Sequence, residues 1–190
     1  MIRKYSILFI VLLLNAAFVL SELHAQIITD GTLGPAASIS GPDYQIIADL
    51  GKQAGNNLFH SFSEFSISAG ESAVFTGPNS VENIISRVTG RNESRIDGFL
   101  RSQIPGANFF LLNPSGVIFG PHASLDMSGS FHVSTADYLR LGEDGRFDAV
   151  HPGNDVLKTA SPSAFGFLGE NPAPLLFKAA VPKLRRIIGE

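Results

Sequence analysis

Asn108-Phe109-Phe110-Leu111-Leu112-Asn113-Pro114-Ser115-Gly116-Val117-Ile118-Phe119-Gly120-Pro121 is the stretch that decides the fold. A short apolar burst, a bend, a second short burst and a second bend follow one another with no three-and-four recurrence of the kind a helix needs. Asn first, Pro second and Gly fourth suit a type I turn at Asn113-Pro114-Ser115-Gly116. The bursts are therefore read as strands. The same pattern extends outward on both sides, through Tyr44 to Ala48, Ser72 to Phe75, Asn83 to Val88 and Ser130 to Val133. Thr76-Gly77-Pro78-Asn79, Thr89-Gly90-Arg91-Asn92 and Gly120-Pro121-His122 punctuate it, with Gly and Pro supplying the backbone angles of tight turns. The chain is all-β on this pattern. No Asn-Gly or Asp-Gly pair joins two clean strands, and neighbouring positions are often both apolar, as in Ile84-Ile85 and Phe109-Phe110. Very short strands without ordinary hairpins suit the stacked coils of a parallel β-helix, although no fixed period is visible.

Composition narrows the functional classes. The chain has 190 residues, 19 Gly, 11 Pro and no Cys; charged residues make up 16%, and the formal net charge is −3. One domain with a short appendage fits that length. The absence of Cys removes disulfides, thiolate metal sites and cysteine nucleophiles. No basic block interrupts the body of the chain, which disfavours nucleic acid as a partner. Arg3 and Lys4 precede Ile7 to Leu20, an apolar run in which only Asn15 is polar, and Ser21 to Ala25 follows, ending on a small residue. That order reads as a secretory signal peptide over residues 1–25, with the mature chain starting at or near Gln26. At about 1.5 Å per residue, such a run falls short of a hydrocarbon core of about 30 Å. The mature protein is expected to be exported.

Candidate chemistry is sparse. His60, His122, His132 and His151 show no ligand-pair spacing, so no metal or cofactor is expected; His60 and His132 sit among apolar neighbours and read as hydrogen-bonded structural residues. A β-helical lyase or hydrolase needs clustered carboxylates. The candidates are Glu143 and Asp144 with Asp148, and the scattered pair Asp97 and Asp126; Glu143-Asp144-Gly145 reads more simply as a solvated turn. There is neither a Gly-x-Ser-x-Gly elbow nor a phosphate loop, because Ile46 stands where the earlier Gly before Gly51-Lys52 is required. The chain is expected not to be an enzyme. Phe59, Phe62 and Phe65, spaced by three, fit a stripe of a short helix or successive corners of a coil, and core packing is favoured over an aromatic ligand platform.

Asn57 to Phe65, Val81 to Gly90, Ile96-Asp97-Gly98 and Phe110 to Pro121, in that order, closely resemble the amino-terminal secretion domain of filamentous-haemagglutinin-like exoproteins, the passengers of two-partner secretion (TPS). The resemblance runs from about Ile27 to Ala173. It implies a right-handed parallel β-helix with amino-terminal capping strands over residues 26–174, recognised in the periplasm by the periplasmic domains of a cognate outer-membrane β-barrel transporter and then secreted or displayed at the cell surface. A slow-folding fold of short strands and long-range pairings is consistent with a threadable chain. The family signature Asn-Pro-Asn-Gly is met by Asn113, Pro114, Ser115 and Gly116, with Ser115 in place of the second Asn, so these residues are the candidate for partner recognition or for a structural turn. If the partner reads this turn, Asn113→Ala is expected to impair secretion more than stability. The second signature, Asn-Pro-Asn-Leu, has only a partial counterpart at Pro78 and Asn79. Residues 175–190, with Lys178, Lys183, Arg185 and Arg186 against Glu190, look unlike a coil and read as an atypical tail from a truncated or frame-disrupted passenger. A monomer is expected. The alternatives are an adhesin that binds host or surface glycans in its own right and, more remotely, a β-helical polysaccharide enzyme.

Overall fold

The bend after Leu112 carries the chain from one sheet to another, and stacking such bends generates the whole architecture. The computed structural model describes residues 26–178. The proposed signal peptide and cleavage point, and residues 179–190 of the proposed tail, lie outside the described residues. Four coils stack in parallel. The first holds β3 (Asp43–Ile46), β5 (Asn57–Phe65) and a single bridge from Ile67 to Ile96. The second holds β6 (Ser72–Phe75), β7 (Asn83–Val88) and β8 (Ser94–Ile96), and the third β9 (Phe99–Ser102), β10 (Asn108–Leu112) and β11 (Val117–Phe119). The fourth holds β12 (Ser124–Asp126), β13 (Phe131–Ser134) and β17 (Leu175–Phe177). One side of the solenoid is thus β3-β6-β9-β12, the central sheet is β5-β7-β10-β13, and the third side is β8-β11-β17. Asp43, Ser72, Phe99 and Ser124 lie in register, so successive coils take 29, 27 and 25 residues. That shrinkage explains why no constant period can be read in the sequence.

The amino-terminal end is closed by antiparallel strands. β1 (Ile27–Thr29) pairs with the second half of β5 and with β2 (Ser38–Ile39), while β4 (Lys52–Ala54) pairs with the first half of β5. Together they cover an edge that would otherwise offer unpaired backbone groups to other chains. β5 is a strand throughout, which removes the helical reading of its phenylalanines. The β1–β5 register slips between Ile28 and Thr29, so one extra residue of β5 is accommodated there. In consequence Phe62 and Phe65, three apart, both enter the interior core, whereas Phe59 faces the other way.

Alternation along the central strands fills two cores. Leu58, Phe62, Ile84, Val88, Phe109 and Leu111 point into the solenoid, where Phe75 meets Phe109 edge-on at 4.8 Å. Phe59, Ile85, Phe110 and Leu112 point outward and are equally dry. Their cover is an excursion from the fourth coil, in which β14 (Tyr138–Leu141) pairs antiparallel with both β15 (Gly145–Asp148) and β16 (Pro162–Gly166). Leu139, Leu141, Phe147 and Ala149 complete this second core. Paired apolar neighbours such as Phe109-Phe110 thus mark a sheet buried on both faces. The excursion corrects the expectation that hairpins are absent: Gly142, at φ +61°, opens the turn that joins β14 to β15, and Asp144-Gly145 closes it. Leu175–Phe177, at the start of the residues expected to form an atypical tail, adds to the third sheet, with Phe177 stacked on Phe119 at 4.9 Å.

At the entrance to the central sheet, Asn57, Asn83 and Asn108 stand in register. Asn108 Nδ2 donates to Asn83 Oδ1 at 3.1 Å and Asn83 Nδ2 to Asn57 Oδ1 at 2.9 Å. The ladder ends on carbonyls of the excursion, with Asn57 Nδ2 donating to Lys158 O at 3.0 Å and to Ala160 O at 2.8 Å. Asn108 and Asn83 each lend a donor to the coil before and Asn57 lends its donors to the excursion, so these polar side chains tie coil to coil and coil to cover without orphaned groups.

Candidate recognition corner

Asn113 to Gly116 is a closed four-residue bend between the central sheet and the third sheet. The Gly116 N–H donates to Asn113 O at 3.0 Å, and the Ser115 N–H to Asn113 Oδ1 at 2.9 Å, so backbone and side chain brace the same turn. Gly116 has φ +117°, a region that disfavours any residue with a Cβ. The Asn113 side chain is fully buried and turned to the coil below, where Nδ2 donates to Asn92 O at 3.1 Å and to Ser94 Oγ at 2.9 Å. Ser115 Oγ donates to Gly90 O at 3.2 Å. At Gly90 itself a Cβ would come within 2.0 Å of Ser63 O, so the second-coil corner passes too close to the first to accept a side chain. Three successive corners are therefore fastened one on another, and within the four-residue bend only Pro114 and Ser115 remain partly exposed.

This geometry revises the balance expected for Asn113. An amide with no exposed surface is unavailable for direct contact from outside, and removing it leaves buried partners unsatisfied. Such a loss costs about 1–3 kcal/mol, more than the cost of an exposed turn. Pro78 and Asn79 lie elsewhere, on the bend between β6 and β7, where the Val81 N–H donates to Pro78 O at 3.1 Å. Both are exposed. The two candidate turns thus occupy different edges of the solenoid and do not form one site.

Beside the Asn113 corner, a groove of about 640 Å³ runs along the outer side of the third sheet, floored by Ile67 and Ile118 and walled by Glu64, Asn92, Glu93, Arg95, Asp97 and Lys178. Most of its charged groups have partners in or beside it. Arg95 pairs with Glu93, Asn92 Nδ2 donates to Glu64 Oε1 at 2.6 Å, and His122 Nδ1 lies 3.2 Å from Asp97 Oδ1. Burial acts to raise the Asp97 pKa, but the His122 N–H and ring, with Lys178 nearby, outweigh it and hold the carboxyl below its ordinary value.

The other carboxylates named from sequence are dispersed. Asp126 lies 3.2 Å from Arg101, Asp148 is buried against Arg146 at 2.6 Å, and Glu143 and Asp144 are exposed in the β14–β15 turn. Among the described residues, no group of three or more His, Asp or Glu is placed to hold a metal ion. The histidines divide. His132 is exposed and stacks on Phe110 at 4.4 Å, contrary to the expectation of a hydrogen-bonded residue. His60 is enclosed with Phe62 and Phe75, and its Nε2–H donates to Ile47 O at 3.3 Å while Nδ1 has no partner. Burial pushes its pKa down to about 4, against the raising effect of the Ile47 carbonyl.

Arg87 is the principal residue that sequence reasoning missed. It is fully buried, yet its guanidinium reaches Ser61, Thr32, Asp148 and Asp155. An arginine between Ser86 and Val88 gives no sign of partners 61 and 68 residues downstream. The asparagine ladder did leave a signal, since each of its members stands immediately before two large apolar residues.

Capping strands, shrinking parallel coils and an outer sheet sealing the central strands define a capped parallel β-solenoid. The TPS secretion domain model matches residues 25–176, and the chain belongs to that family. No curated protein matches the chain. The family is a non-catalytic secretion-recognition family whose members act with a TPS outer-membrane transporter, so this is an exported protein that passes through the periplasm.

Proposed function

We propose that residues 26–178 form the recognition end of a two-partner secretion exoprotein and that its transporter reads the rim of the Asn113 corner. Residues 1–25 act as the signal peptide that brings it to the periplasm. Asn113 shapes the bend from within, whereas Pro114 and Ser115 present the surface the periplasmic domains touch. The observation that carries this reading is the division of labour at the turn: every polar group of the Asn113 side chain is used internally, while Pro114 and Ser115, the next two residues, stay partly exposed. Exposed Pro78 and Asn79 offer a second, separate contact.

The test is capture of the full exported chain by the periplasmic domains of its transporter. Pro114→Lys is expected to weaken capture at least tenfold while leaving the melting temperature near that of the parent. Unchanged capture sinks the corner as a contact and leaves it a structural bend. Binding of the purified chain to host or surface glycans, without capture by the transporter, supports the adhesin reading instead.

A further inference from the structure

Arg87 sits on the outward face of the central sheet, with Ile85, while Val88 faces the interior. The excursion supplies Phe147, Asp148 and Asp155; without it the guanidinium would keep only Ser61 and Thr32 as partners, and its remaining donors would face water. After docking, the guanidinium has no exposed surface and lies 4.3 Å from the Phe147 ring centroid. Nε donates to Ser61 Oγ at 2.7 Å, and one terminal nitrogen donates to Thr32 Oγ1 at 3.0 Å. The other donates to Asp148 O at 2.6 Å and pairs with Asp155 at 2.7 and 2.8 Å. Asp155 alone brings it a matching charge directly. The Asp148 carboxylate is already taken by Arg146 and by the N–H groups of Val150 and His151, and Asp30 is reached only through the hydroxyls of Ser61 and Thr32. A charge taken into an apolar seam without its partner is strongly unfavourable, whereas an apolar side chain in its place is tolerated.

We propose that Arg87 makes docking of residues 135–166 a separate, conditional step: the coils close first with the outer face of the central sheet open, and the excursion seals it only when Asp155 reaches the guanidinium. The pair acts as a gate on the seam rather than as a source of stability. It selects one seating of the excursion, because any seating that covers Phe59, Ile85 and Phe110 without delivering Asp155 buries an unpaired cation. The step belongs to the chain itself and requires no transporter.

Hydrogen exchange of the full chain tests it by comparing amides of β14, β15 and β16 with those of β6 and β9, which lie on a side of the solenoid away from the seam. Asp155→Asn removes the charge but keeps an oxygen for the Asp148 N–H, which now donates to Asp155 Oδ1 at 2.9 Å. The expected result is exchange about a hundredfold faster in β14 to β16, with rates in β6 and β9 unchanged. Adding Arg87→Met to Asp155→Asn is expected to restore β14 to β16 to within about tenfold of the parent, because no cation is then left to bury. Equal acceleration in both sets of strands, no acceleration in β14 to β16, or a double variant as labile as Asp155→Asn each overturns the proposal.

Discussion

Through β7 and β10 the apolar side chains on both faces of the central sheet are buried, but different distances along the chain make them so. The inner face is covered by the other two sides of the coils, so Phe109 meets Phe75 of β6 at 4.8 Å, besides Phe131 of the next strand in its own sheet at 5.8 Å. The outer face is covered by an excursion that returns from beyond the fourth strand of the sheet, and Phe59 meets Phe147 at 5.1 Å. Stacking is cheap in sequence because each coil needs only the one before it. Sealing the outer face demands a pairing across most of the domain, and a buried charge guards it. A solenoid strand can thus read as apolar on both sides for two unrelated reasons.

The largest effect should come from the inner face. Phe109→Ala removes a fully buried ring shared by neighbouring coils and is expected to cost about 3–5 kcal/mol. A chemical denaturation curve should show all strands lost together at a lower midpoint; a loss confined to the excursion would break the distinction between the faces.

Acid should single out the same face next. His60 has its folded pKa pushed down to about 4 from an ordinary value of 6.5, so the unfolded chain binds the proton more readily. Stability is then full above about pH 6.5 and falls as the pH drops toward 4, by about 3 kcal/mol in all. Denaturation midpoints at pH 7 and pH 4.5 should differ in the parent and converge in His60→Phe. An equal drop in both proteins would place the acid sensitivity elsewhere.

Smaller effects separate the two candidate corners. Asn113→Ala, at the end of the central sheet, should cost about 1–3 kcal/mol because Ser94 and Asn92 lose a buried donor. Asn79→Ala, on an exposed bend, should stay within about 0.5 kcal/mol. Thermal melts of both variants check the order, and a larger shift at Asn79 would reverse the assignment of which corner is structural.

The sequence by itself determined the short strands, the bends between them and the coil architecture, because these are local: Gly and Pro fix turns, and apolar bursts need only a neighbouring coil. It also marked the Asn113 bend, whose brace runs over four residues, and the order of its motifs sufficed to place the chain in its family. The tertiary structure alone decided which way Asn113 faces, since its partners Asn92 and Ser94 lie on another coil. It also decided that Phe62 and Phe65 share one face through a slipped register, and that His132 stacks in the open while His60 is enclosed. Arg87 shows the limit most clearly. Whether an arginine is a solvated surface group or the centre of a sealed seam depends on Asp148 and Asp155 arriving from far along the chain, and no local pattern of residues records that meeting.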